Sequence, residues 1–294
     1  MKAFINLFYE KRYSHKSYAY KVTALIILLY FAGGIISSVL QFSFFGNELN
    51  KEYSIYSQCI LQIFILLLPT IYFAKRALLP YSILMRKKSE VNYQQIIAGI
   101  IGIIAFQAFV TGFMALQEKI IPDTFLTYYK DIEDSIESMY LLILGGSGYF
   151  DLARAMIIGA LIPAIAEETL FRGFLQSSLE QEYNPAKAIV ITALIFSFLH
   201  INPIGLIPLI GIGIYLGFVA FATNNLILPM LIHFINNALA IIIIYSPKLG
   251  EIENKTVKIP YYFALFLMLS GLFIVFLCCL IINKYSFLSD KNQK

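Results

Sequence analysis

Eight long apolar runs divide this chain, at about residues 20–45, 55–74, 95–117, 152–178, 186–202, 204–222, 225–246 and 261–283. A helix needs ~20 mostly apolar residues to cross the ~30 Å hydrocarbon core of a bilayer. Within that core only helices and closed barrels satisfy every backbone N–H and C=O. The runs are continuous rather than alternating, so the sequence predicts an all-α, polytopic membrane bundle of about eight transmembrane helices. Composition agrees: 59% of the 294 residues are apolar and only 14% charged, with a mean hydropathy of +0.74. Soluble domains are nearer one quarter charged, which excludes a soluble enzyme, a disordered tail and a fibrous repeat. The first run is too long for a cleaved signal and is read as a retained helix.

Three units are expected: residues 1–150 as N-terminal membrane helices with an outer amphipathic helix, 151–246 as a catalytic core, and 247–294 as a last membrane helix with a cytoplasmic tail. The net charge of +4 sits in short basic clusters between runs, a pattern of membrane orientation rather than of nucleic-acid binding. If every run crosses once, fourteen of the 22 basic residues fall on one side, among them Lys16, Lys21, Lys75, Arg76, Arg86, Lys87 and Lys187. Seven fall on the other, and Arg172 lies inside a run. Both termini are therefore expected in the cytoplasm. The three cysteines, Cys59, Cys278 and Cys279, lie in apolar stretches and form neither a disulfide framework nor a metal-binding pair. Between the third and fourth runs, Phe125, Tyr129, Ile132, Ile136, Met139, Tyr140 and Ile143 recur at helical spacing among acidic residues. This predicts an amphipathic helix on the outer face.

Ionisable groups inside the apolar runs carry the functional signal, because each is expensive there without a partner or a cavity. The fourth run holds Glu167, Glu168 and Arg172; the fifth ends with Phe196 and His200; the seventh holds His233, Asn236 and Asn237. At ~1.5 Å per residue, Glu167, His200 and His233 stand roughly 16, 21 and 12 Å from the inner ends of their runs. Three separate helices thus place polar groups at one depth, which suggests one shared site. Glu168 and Arg172 are four residues apart and can pair. Glu167 is turned about 100° away and left free. His233 and Asn237 share a face, and Phe196 can pack beside His200. Pro163 and Pro229 each precede a site residue by four positions and are expected to disturb the preceding turn. Tyr20, Gln62, Asn92 and Gln107 read as interfacial or packing residues. The Gly213–Gly217 spacing reads as close helix packing.

A glutamate with two histidines can make water nucleophilic, the carboxylate taking its proton. Zn²⁺ on His200, His233 and Glu167 would lower the pKa of that water; without metal, an imidazole could orient the water while the other imidazole and Asn237 donate to the oxyanion.

Three motifs, Glu167-Glu168-x-x-x-Arg172, Phe196-x-x-x-His200 and His233-x-x-x-Asn237, resemble those of the CPBP family, the CAAX prenyl proteases and bacteriocin-processing (Abi) proteins. The resemblance covers residues 150–245. It implies an intramembrane endopeptidase acting on a membrane-associated protein or peptide from a site in a membrane cavity open to the cytosol. Glu167 with His200 would activate water, His233 and Asn237 would stabilise the oxyanion, and Arg172 would hold the helix through Glu168. The family is named as metalloproteases, although a metal-independent glutamate route has been argued for it. The Ile-, Lys-, Asn- and Tyr-rich composition points to a bacterial cytoplasmic membrane. The competing readings are a non-catalytic scaffold or immunity protein and a proton-coupled transporter. Crowding of the ionisable groups into the C-terminal half argues against the transporter.

Overall fold

The computed structural model describes residues 14–46, 48–87, 90–146, 148–245 and 259–292. The charges at Lys2, Lys11, Arg12, Lys88, Lys248, Lys255, Lys258 and Lys294 lie outside the described residues. Nine helices account for most of the rest: α1 (His15–Phe45), α2 (Lys51–Arg76), α3 (Tyr93–Ile120), α4 (Asp123–Leu144), α5 (Tyr149–Leu179), α6 (Pro185–Leu199), α7 (Leu206–Thr223), α8 (Ile227–Tyr245) and α9 (Tyr261–Asn292). All but α4 and α6 are long and apolar enough to cross a membrane, seven in all. Among the described residues the only strand-like pairing is an isolated bridge between Lys87 and Asn225. The protein is a multi-pass, all-α membrane bundle.

Local chemistry sets the helix ends. Ser14, Asn50 and Asn184 accept backbone N–H groups at the starts of α1, α2 and α6, the ordinary service of an N-cap. Asn92, read from sequence as an interfacial or packing residue, forms a reciprocal capping box with Gln95 at the start of α3.

The fifth apolar run departs most from expectation. Its helix, α6, stops at Leu199 after 15 residues, a length of ~22 Å, short of the ~30 Å core. Turn chemistry ends it. Ile201 sits at φ 45°, and Asn202 Oδ1 accepts the N–H groups of Ile204 and Gly205 at 3.1 and 2.9 Å. The chain then turns into α7, which packs along α6. Their contact is close because Gly213 lies where a Cβ would come 2.9 Å from that of Ala193.

The amphipathic segment is helical as read, over Asp123–Leu144. Tyr129, Ile132, Ile136 and Ile143 are half-buried, whereas Phe125, Met139 and Tyr140 from the same stripe are exposed. The main core lies where α3, α5, α6, α7 and α8 meet, around Phe106, Phe171, Phe174, Phe196, Leu216 and Ile232. Exposed leucines, isoleucines and phenylalanines run along α1 and α9, as lipid-facing surfaces require.

Candidate active site

α5 is wound unevenly. An α-helical stretch, Ile162–Glu168, lies between π-helical segments at Met156–Leu161 and Thr169–Gln176. Single π-turns inside α-helices are frequent at functional sites. Pro163 follows the first wide segment, which accommodates a ring with no N–H to donate. The disturbed turn expected before Pro163 is present. The one expected before Pro229 is not, because Pro229 lies in the first turn of α8, where its missing N–H would have had no helical partner.

The second wide segment is buried at all eight positions, Arg172 included. Arg172 Nη1 donates to Glu168 Oε1 at 2.7 Å, both side chains being fully buried. Nη2 donates to the Gly213 carbonyl of α7 at 3.2 Å. The guanidinium carbon stands 4.6 Å from the Phe196 ring centroid of α6, within cation–π range. Glu168 Oε1 also receives His233 Nδ1 of α8 at 2.8 Å. One ion pair therefore ties α5 to three neighbours. The glycine stripe of α7 contributes more than packing, since Gly213 and Gly217 offer carbonyls to Arg172 and to Gln176 (2.9 Å).

Glu168 Oε2, like Glu167 Oε2, is buried without a hydrogen bond among the described residues; Glu167 differs in what faces it. Its Oε1 accepts from Gln62 Nε2 of α2 at 3.3 Å. Its Oε2 is buried and lacks a hydrogen bond among the described residues. His200 Nε2 faces that oxygen at 4.0 Å and His233 Nε2 at 3.9 Å. His200 Nδ1 is 2.8 Å from the Phe196 carbonyl; a carbonyl only accepts, so Nδ1 carries the proton. Phe196 packs beside His200 with ring centroids 4.5 Å apart. A water at ~2.8 Å from both Oε2 and either Nε2 fits these separations.

Asn237 follows His233 by one turn of α8. Gln107 Nε2 donates to Asn236 Oδ1 at 2.7 Å, and Asn236 Nδ2 donates to Asn237 Oδ1 at 3.1 Å. Among the described residues the Asn237 side-chain carbonyl is occupied and its amide hydrogens are left for another acceptor. The structure thus brings Glu167, His200 and His233 face to face, and holds Asn237 one turn beyond. Two imidazole nitrogens and a carboxylate suit zinc chemically. Among the described residues, however, no three His, Cys, Asp or Glu side chains are grouped so as to hold a metal ion.

Three residues escaped the sequence reading. Gln62 and Gln107, read as interfacial or packing residues, bond Glu167 and Asn236 respectively. Arg86, counted only among the basic residues that orient the chain, is 3% exposed. It donates to the Arg172 and Ala220 carbonyls at 3.0 and 3.2 Å and pairs with Glu180 at 2.8 Å.

No curated protein and no solved structure matches the sequence. Residues 150–239, which contain all three motifs, match the family described as Type II CAAX prenyl endopeptidase Rce1-like. The chain carries, over residues 150–239, an Rce1-like domain of the CPBP (CAAX protease) family.

Proposed function

We propose that this membrane protein is an endopeptidase that hydrolyses a peptide bond of a membrane-associated protein or peptide, with Glu167 as general base. The Rce1-like domain supports the reaction class. The observation that carries the residue assignment is the buried, unpartnered Glu167 Oε2 faced by two imidazole Nε2 atoms.

A water between Oε2 and His200 Nε2 donates one proton to each acceptor. His200 Nδ1 is already committed to Phe196, so its Nε2 presents a lone pair that orients the water. As the water oxygen bonds to the scissile carbonyl carbon, its proton passes to Glu167. The oxyanion that forms accepts a hydrogen bond from the Asn237 amide. His233, whose ring is held by Glu168 through Nδ1, points Nε2 into the same space and adds to oxyanion stabilisation. Collapse breaks the C–N bond, and Glu167 returns its proton to the leaving amine. Fixed donors of this kind act most strongly in a dry, low-dielectric setting.

The test is comparative peptidomics of membranes from cells carrying either wild-type protein or Glu167→Ala at matched abundance. New peptide termini that appear only with wild type are the expected result and would name the substrate. Identical termini in both strains would overturn the reading in favour of a scaffold.

A further inference from the structure

We infer that Gln62 is a positioning residue for Glu167, so that the site extends into α1 and α2, outside the segment matched by the family. This rests on the reading of Glu167 as the base. A glutamate side chain has three rotatable bonds, and a carboxylate must be held in place to act as a base. Among the described residues a single hydrogen bond reaches the Glu167 carboxylate, that from Gln62 Nε2 to Oε1 at 3.3 Å. The two histidines stand 3.9–4.0 Å away, too far for direct bonds. By fixing Oε1 toward α2, Gln62 leaves Oε2 as the oxygen that faces both imidazoles.

Gln62 is itself held. It is 4% exposed, and its Nε2 also lies 3.4 Å from the Tyr30 hydroxyl of α1. That hydroxyl receives Gln58 Nε2, one turn earlier on α2, at 3.3 Å. The amide orientation is dictated by charge: flipped, its Oε1 would face a carboxylate oxygen. The π-helical winding of α2 over Leu61–Leu67 begins at this point and places the side chain between α1 and α5, both of which this segment touches.

The test compares wild type, Gln62→Met, Glu167→Gln and the double variant, each as full-length protein. Thermal unfolding in detergent reads the contact without activity. The double variant's Tm shift should differ from the sum of the single shifts by about 2 °C or more; simple additivity would overturn the inference. Kinetics in liposomes use a quenched-fluorescence peptide built on the cleavage sequence recovered by peptidomics. Gln62→Met should lower kcat by about ten- to a hundredfold with KM within about twofold. A wild-type kcat, or a loss confined to KM, would overturn the positioning role. If Gln62→Met reduces folded yield, Tyr30→Phe carries the kinetic test, with a smaller fall expected in kcat alone. An active Glu167→Gln would instead fell the functional reading, and this inference with it.

Discussion

The α3–α9 pair and the α5–α8 junction are both buried helix contacts, built from opposite materials. Between α3 and α9 the backbones meet almost directly. A Cβ on Gly271 would stand 2.6 Å from Phe109 N and 2.7 Å from the Ala105 carbonyl, and Gly112 is equally tight against Ala264 and Met268. Gln95, bonding Ile282 and Ser286 near the helix ends, is its main polar tie. In lipid, where apolar burial does not drive helices together, such close packing is what holds them. At α5–α8 the contact is a fully buried ion pair, Glu168–Arg172, joined to His233. Beside it stands Glu167 Oε2, without a hydrogen bond among the described residues and faced by two imidazoles. A buried pair adds little stability over an apolar substitute but is costly to break. Placing one here commits the helix to a single geometry, and the geometry presents Glu167.

Removing either imidazole attacks the second region alone. His200→Ala and His233→Ala should each slow cleavage on the order of 10²-fold or more in liposome assays. His233→Ala should also lower Tm, because Glu168 loses a partner, whereas His200→Ala should leave Tm nearly unchanged. Equal Tm losses would blur the distinction. Arg172→Met strands the Glu168 carboxylate in a fully buried site and should destabilise by about 3–5 kcal/mol, read by thermal or denaturant unfolding in detergent. Gly271→Ala pushes a methyl into the α3 backbone and should destabilise by about 1–3 kcal/mol. Its activity per folded molecule should match wild type; a lost rate with intact Tm would show that the α3–α9 pair reaches the site.

The smallest effect lies outside both regions, on the connection after α5. Glu182 is held below the ordinary carboxylate value of 4.5. Burial works against this shift, but the Lys16 backbone N–H at 2.9 Å and ammonium at 3.1 Å outweigh it. A depressed carboxylate stabilises the fold fully above pH 4.5, and that contribution fades as pH falls through the folded-state value. Glu182→Gln should therefore flatten Tm slightly between pH 6 and the acid side, and added salt should do the same.

Much of this arrangement is legible in the sequence. Run length marks the membrane helices, and i,i+4 spacing identifies the Glu168–Arg172 pair and leaves Glu167 apart from it. The remainder depends on which helices become neighbours, and spacing along one helix carries no such information. Gln62 and Gln107 look like any polar residue in an apolar run until α2 meets α5 and α3 meets α8. Arg86 had a visible cue. The apolar stretch Leu78-Leu79-Pro80-Tyr81-Ser82-Ile83-Leu84-Met85 precedes it, and Leu84 and Met85 are buried, so the connection was never an ordinary solvated loop. The early end of α6 also had one, in Asn202-Pro203-Ile204-Gly205, whose residues favour turns.

The central claim is that Glu167, not the adjacent Glu168, is the proton acceptor. It is tested most directly by cleavage rates of purified Glu167→Gln in liposomes, compared with wild type at equal folded fraction. The expected result is a Tm close to wild type and a rate lower by about 10²–10⁴-fold. Wild-type cleavage by Glu167→Gln would contradict it.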